Sequence, residues 1–184
     1  FTFNETAQGI ELSENGSPVY FYQREPKSSN GEYICNNYLH PLYSLSGETL
    51  TEEFPDDHPF HRGVYWSWHQ VYADTLSIGD HWIMKDILTD VTHASTEQTS
   101  EKAILRLKVS WRSPLFQDAQ PFMEEETRIT VHKKEKEYRL IDFEIALKAL
   151  TEGIQLGGSD DAKGYGGFCA RLRLPDSVSF TSSD

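Results

Sequence analysis

Residues 56–69 read DDHPFHRGVYWSWH and gather three histidines, an arginine and two tryptophans into one short stretch. Imidazoles exchange protons near neutral pH, ligate divalent metals and hydrogen-bond hydroxyls, so the residue types admit three chemistries. His58 and His61 stand three apart around Pro59, with His69 just beyond them and Asp80, His81 and Trp82 close behind in GDHW. A zinc site wants three or four N, S or O ligands, and no cysteine pair or HExxH pattern accompanies these histidines. A divalent metal held by His58, His61 and His81 with Asp80 is thus a minority reading, and no cofactor is expected. A bland alternative has the histidines bonded to loop carbonyls beneath the tryptophans.

The strand that follows favours a third reading. Alternation sends Val64, Trp66 and Trp68 to one face and Tyr65, Ser67 and His69 to the other, one face apolar and one polar. Such a polar face beside a loop of His and Arg suits a carbohydrate. Aromatic rings stack on the C–H faces of a sugar, while imidazole, guanidinium and carboxylate groups bind its hydroxyls. Sugar chemistry also needs a proton donor and an acceptor, which histidine and a tuned carboxylate supply. On this reading His58 and His61 act as acid and base. Arg62 and Arg171 hold oxygens or a carboxylate, and Trp66, Trp82 or Tyr165 stack, with His69, Asp80 and His81 completing the substrate contacts.

Two further stretches invite chemistry. GGSDDAKGYGGF, residues 157–168, lacks the GxxxxGK[ST] order of a phosphate cradle and opens no helix, so it reads as a flexible loop carrying Tyr165 over a site or as a plain hairpin connection. Glu124, Glu125 and Glu126 read as a solvated charge run at the start of a strand.

The elements that must position these residues are strands. Asn15-Gly16 between Ile10/Leu12 and residues 19–22 marks a hairpin, because both turn positions take positive φ. Pro55, Pro59 and Gly63 exclude a regular helix over residues 51–63, which become an irregular loop leading into a strand, GVYWSWHQVY, over 63–72. Residues 103–109 suggest another strand. Over 122–148 apolar and polar residues alternate on either side of KKEK, which describes a long antiparallel hairpin with one wet face. Helical periodicity is scarce and no repeat of 20 to 50 residues occurs, so the expected class is all-β, an antiparallel β-sandwich, in a single domain over 1–184.

Composition narrows the partners. Seventeen Lys and Arg against 29 Asp and Glu give a net charge of −12, which repels nucleic acid and anionic membranes. No apolar run nears the roughly 20 residues of a membrane helix. Cys35 and Cys169 could pair if the fold brings them together, but one possible pair is no disulfide scaffold, and they read first as two buried free thiols.

The blocks YLHPLYSLSGETLTEEFPDDHPFHRGVYWSW, GDHW and KGYGGFCARL together resemble the PmoA-like family of bacterial proteins. Its blocks correspond here to His40 and Pro41, to Asp57, His58, Pro59, His61, Arg62 and Gly63, to Gly79 through Trp82, and to Gly164 through Arg171. Phe60 stands where the family usually has another histidine, which weakens any cluster of three imidazoles in that loop. The resemblance implies a galactose mutarotase-like supersandwich whose concave sheet face holds a carbohydrate, and a periplasmic or secreted bacterial location. It also implies a domain continuing beyond Asp184, so that 1–184 is its N-terminal and central part, unless the chain is a short variant. The expected function is a carbohydrate-active enzyme of epimerase, lyase or hydrolase type, with a non-catalytic carbohydrate-binding module as the alternative. Neither substrate, reaction type nor oligomeric state follows from the residues.

Overall fold

A computed structural model describes residues 1–175 and 177–179. Thirteen strands and one short 3-10 turn make up its regular structure, so the all-β expectation holds. One sheet has the order β1 (Thr2–Glu5), β2 (Gly9–Glu14), β3 (Ser17–Gln23), β4 (Tyr38–Leu42), β5 (Val64–Trp68) and, at its far edge, β13 (Gly166–Ala170). A second, four-stranded sheet runs β11 (Ile141–Ala149), β10 (Pro121–His132), β9 (Lys102–Arg112), β8 (Leu88–Gln98). A third, of β12 (Ile154–Gly157), β6 (Gln70–Ala73) and β7 (Leu76–Gly79), continues from the end of β5. All pairings between neighbouring strands are antiparallel.

The first two sheets form a β-sandwich around one core. Ile10, Leu12, Tyr20, Tyr22 and Val64 from the six-stranded sheet meet Leu105, Leu107, Val109, Trp111, Ile129 and Val131 from the four-stranded one. Residues of alternate parity on β9 and β10 point inward, as period two requires. Asn15 and Gly16 take φ of 51° and 81°, and the hairpin falls at the predicted turn. The hairpin of β10 and β11 also lies where alternation placed it, with Ile145 opposite Thr127.

A smaller cluster of Cys35, Tyr38, Tyr65 and Trp82 builds on the other face of the six-stranded sheet, under the loop of residues 51–63. This corrects the expectation of an open polar face. Tyr65 and Ser67 are 2% and 0% exposed: Phe54, Phe60, Ile83 and Met84 pack against the cluster that holds Tyr65, while Ser67 Oγ accepts from Arg62 Nη2 and donates to His81 O. Gly63 makes that layering possible: it takes φ of 60°, and a Cβ there would lie 2.0 Å from the Leu39 carbonyl oxygen. Only glycine lets the loop enter β5 so close to β4.

Candidate functional site

The loop of residues 51–63 leaves and rejoins the sheet through a closed base. Glu53 and Arg62 form an isolated bridge, and Arg171, just past β13, bonds Glu52 and Gly63 through its backbone. At the tip His58 N–H donates to Pro55 O and His61 N–H donates to His58 O, and these tight turns around the two prolines leave His58 exposed and His61 half-buried, with the His61 Nδ1 enclosed.

Asp57 joins loop and strand. Both its oxygens accept from Arg171 Nη2 at 2.9 Å, and Oδ2 lies 2.8 Å from His58 Nδ1. Those bonds, with His58 first and Arg171 next, pull the Asp57 carboxyl down to about 2. The result is an Asp–His pair in which the carboxylate fixes the ring and leaves Nε2 without a protein partner among the described residues. His58 stacks on His61 at 4.7 Å between ring centroids and 18° between planes. His61 is pushed down to about 4, chiefly by burial and then by the neighbouring His58 and Arg171, so it is neutral at pH 7.

A second Asp–His pair lies across the face. His69 Nδ1 is 2.9 Å from Asp80 Oδ2, while Asp80 Oδ1 accepts from the backbone N–H groups of Trp82 and Ile83. The His69 ring stacks on Trp82 at 5.0 Å and 16°. Trp82 meets His61 edge-on at 6.0 Å, and Tyr165 stacks on it at 6.1 Å and 25°. The Gly-rich loop lays Tyr165 on Trp82 and is internally tied rather than loose: Asp161 Oδ1 accepts from Ser159 Oγ and from the N–H groups of Lys163 and Gly164, and Tyr165 N–H donates to Ser159 Oγ.

The structure therefore brings His58, His61, His69, Asp80, Tyr165 and Arg171 onto one face, and it relocates the others. Arg62 is 2% exposed and spends its Nη groups on the carbonyls of Phe60, Trp82 and His81, on Ser67 Oγ and on the Met84 sulfur, with its guanidinium 4.5 Å over the Tyr65 ring. It pins loops together and does not reach a ligand. Trp66 points the opposite way, into the sandwich toward Phe143. His81 is fully buried with its ring 3.9 Å from that of Trp111, and burial holds it well below the ordinary histidine range. Trp82 is 5% exposed, so Tyr165, half exposed, offers the more open ring, with the Lys163 ammonium 5.4 Å from its centroid. Arg171 has its Nε on Glu52 and its Nη2 on Asp57, which balances its charge internally. The proposed metal set of His58, His61, His81 and Asp80 does not converge, and among the described residues no group of three or more His, Cys, Asp or Glu is arranged to hold an ion.

Asp57, which the sequence placed only as a neighbouring carboxylate in the His58 block, stands at the centre of this network. Glu125 reverses the charge-run reading. It is fully buried, and its carboxylate accepts from Asn37 Nδ2, Thr127 Oγ1 and the Trp111 indole N–H at 2.7 to 3.0 Å. The Trp66 indole N–H faces the same group without reaching hydrogen-bond geometry. Desolvation raises the Glu125 carboxyl despite these donors. Cys35 and Cys169 are free, and burial pushes the Cys35 thiol up to about 11, away from thiolate chemistry.

Fold and face together define an all-β sandwich protein with an imidazole- and aromatic-lined surface over the edge of its larger sheet. The chain belongs to the DUF6807 family, a family of unknown function, whose match covers residues 9–182. No curated protein and no solved structure matches the chain.

Proposed function

We propose that the protein binds a carbohydrate on the face between Arg171 and Tyr165 and processes it by imidazole acid–base chemistry. Two aspartate-supported imidazoles, His58 and His69, on either side of the His61, Trp82 and Tyr165 rings carry this reading. An aspartate on Nδ1 sets the tautomer and supports the imidazolium that forms when Nε2 takes a proton. His61, neutral at pH 7, exchanges hydrogen bonds with hydroxyls without adding charge. The half-exposed Tyr165 ring supplies the stacking surface. The resemblance to the PmoA-like family and its galactose mutarotase-like fold points to the same ligand class.

Glycosidases place two carboxyl groups on opposite sides of the scissile bond. Here Asp57 and Asp80 are each bonded to an imidazole, and Asp57 to Arg171 as well. Proton removal from a sugar carbon, followed by its return in an epimerase or by departure of a β-substituent that takes a proton from the second imidazole in a lyase, suits these groups better than glycosidic displacement.

Incubation of the protein with neutral sugars and their 3-keto derivatives, followed by NMR, tests the proposal. Turnover that falls about 10² to 10⁴-fold in His58→Gln or His69→Gln supports acid–base catalysis. Binding without turnover, unchanged in those variants, identifies a binding module instead. Absence of both binding and turnover removes the carbohydrate reading.

A further inference from the structure

The His69–Asp80 pair has a second side. It lines a cleft of about 420 Å³ between the three-stranded sheet and the loop that follows β7, together with Tyr72, Ser77, Lys85 and Asp86. That volume lies within the range of small-molecule sites, roughly 300 to 1,000 Å³. The Tyr72 hydroxyl, the Ser77 hydroxyl, the Lys85 ammonium and the Asp86 carboxylate make no hydrogen bond or ion pair among the described residues, although they face one space. A larger cavity of about 530 Å³ on the outer face of the four-stranded sheet contrasts with it: there Lys108 pairs with Glu126, Arg128 with Glu144 and Arg106 with Glu97.

The backbone around the cleft is built at a conformational cost. Met84 and Asp86 sit at φ of 55° and 58°, while Asp80 and Lys85 exchange backbone hydrogen bonds that close the turn between them. Left-handed non-glycine residues persist where the surroundings enforce them, and they concentrate at ligand-binding segments. Here the strained turn carries Lys85 and Asp86 into the cleft wall. The mixture of donors and acceptors matches vicinal hydroxyls. Two carboxylates, Asp80 and Asp86, disfavour a phosphate, and the polar walls leave only Ile83 and the exposed Leu115 for apolar contact.

We infer that this cleft is a second saccharide subsite, so that the ligand has at least two sugar units and its linkage passes His69. The inference rests on the carbohydrate reading above. His69 makes the two places continuous, because its ring stacks on Trp82, which Tyr165 covers, and also borders the cleft. One unit lies at Tyr165 and the next among Tyr72, Ser77 and Lys85.

Isothermal titration of glucose against cellobiose, xylose against xylobiose and galactose against lactose provides the test. The subsite predicts that at least one disaccharide binds ten times tighter than its monosaccharide. Tyr72→Phe combined with Lys85→Ala should narrow that ratio to less than threefold. Ser77→Trp, which fills the cleft from an exposed position, should narrow it by a different route. Equal affinities for the members of every pair, or a ratio unchanged in both variants, would overturn the subsite while leaving saccharide binding at Tyr165 intact. No binding by any of the six sugars would overturn the subsite and the carbohydrate reading together.

Discussion

Glu125 is the residue whose neighbours leave least freedom. Asn37 Nδ2 and the Trp111 indole can only donate and they bond different carboxylate oxygens, so an N–H in place of either oxygen meets another donor. Glu125→Gln turns an amide donor toward Asn37, Thr127 or the Trp111 indole, and should destabilise the fold by about 1 to 3 kcal/mol, read from urea unfolding. A variant as stable as the wild type would show that the network tolerates a donor. His61 and His81 give a pH prediction. Both are held neutral in the folded state below the ordinary value of 6.5, His61 down to about 4. The unfolded chain therefore binds more protons between about pH 6.5 and 4, and stability from this source is complete above that window and falls as pH drops through it. Glu125, raised instead, acts in the opposite sense. The urea midpoint should decline from pH 7.0 to 4.5, with a shallower decline in His61→Gln; an unaltered slope in that variant would remove His61 as a cause.

At the scale of elements, the loop between β12 and β13 positions Tyr165 through one carboxylate. Asp161 accepts three hydrogen bonds, two of them from backbone N–H groups, which hold its carboxyl below the ordinary range. Asp161→Ala should loosen the loop and weaken saccharide binding by about threefold to tenfold with little change in the unfolding midpoint, because Asp161 is exposed and touches no core residue. Calorimetry beside a thermal melt separates the two effects, and equal losses in both would make the loop part of the folding unit. Sequence reading found the elements where a local rule governs them: the Asn-Gly hairpin, the loop shaped by Pro55 and Pro59, and the alternation of β10 and β11. It misjudged the cover over β5, since alternation gives the side of a residue but not what packs on that side. Both faces of β5 are buried, one by the opposite sheet and the other by a loop.

Considered as a whole, the protein bears a charge of −12, and the arginine nearest the proposed site is neutralised by Glu52 and Asp57 while Arg62 is enclosed. An anionic sugar would meet a net repulsive field, with no open guanidinium and with the Lys85 and Lys163 ammonium groups as a partial offset. Glucuronate should bind at least tenfold more weakly than glucose at 50 mM salt, and the gap should narrow at 300 mM salt as screening shortens the reach of that field. Titration of both sugars at both salt concentrations checks this, and tighter binding of the uronate would reassign Arg171 as a ligand group.

His58, His61, His69, Asp80, Tyr165 and Arg171 stand out in the sequence because their types are chemically distinctive and turn residues or glycines surround them, and the fold brings them onto one face. The all-β class followed from turn spacing and period two, which are local properties. Tertiary structure alone decided that Arg62, Trp66 and His81 face inward, that Asp57 links its loop to Arg171, 114 residues away, and that Glu125 is buried among donors. Burial and pairing depend on contacts between segments distant in the chain, and no local pattern encodes which of two equally polar residues the fold will close over.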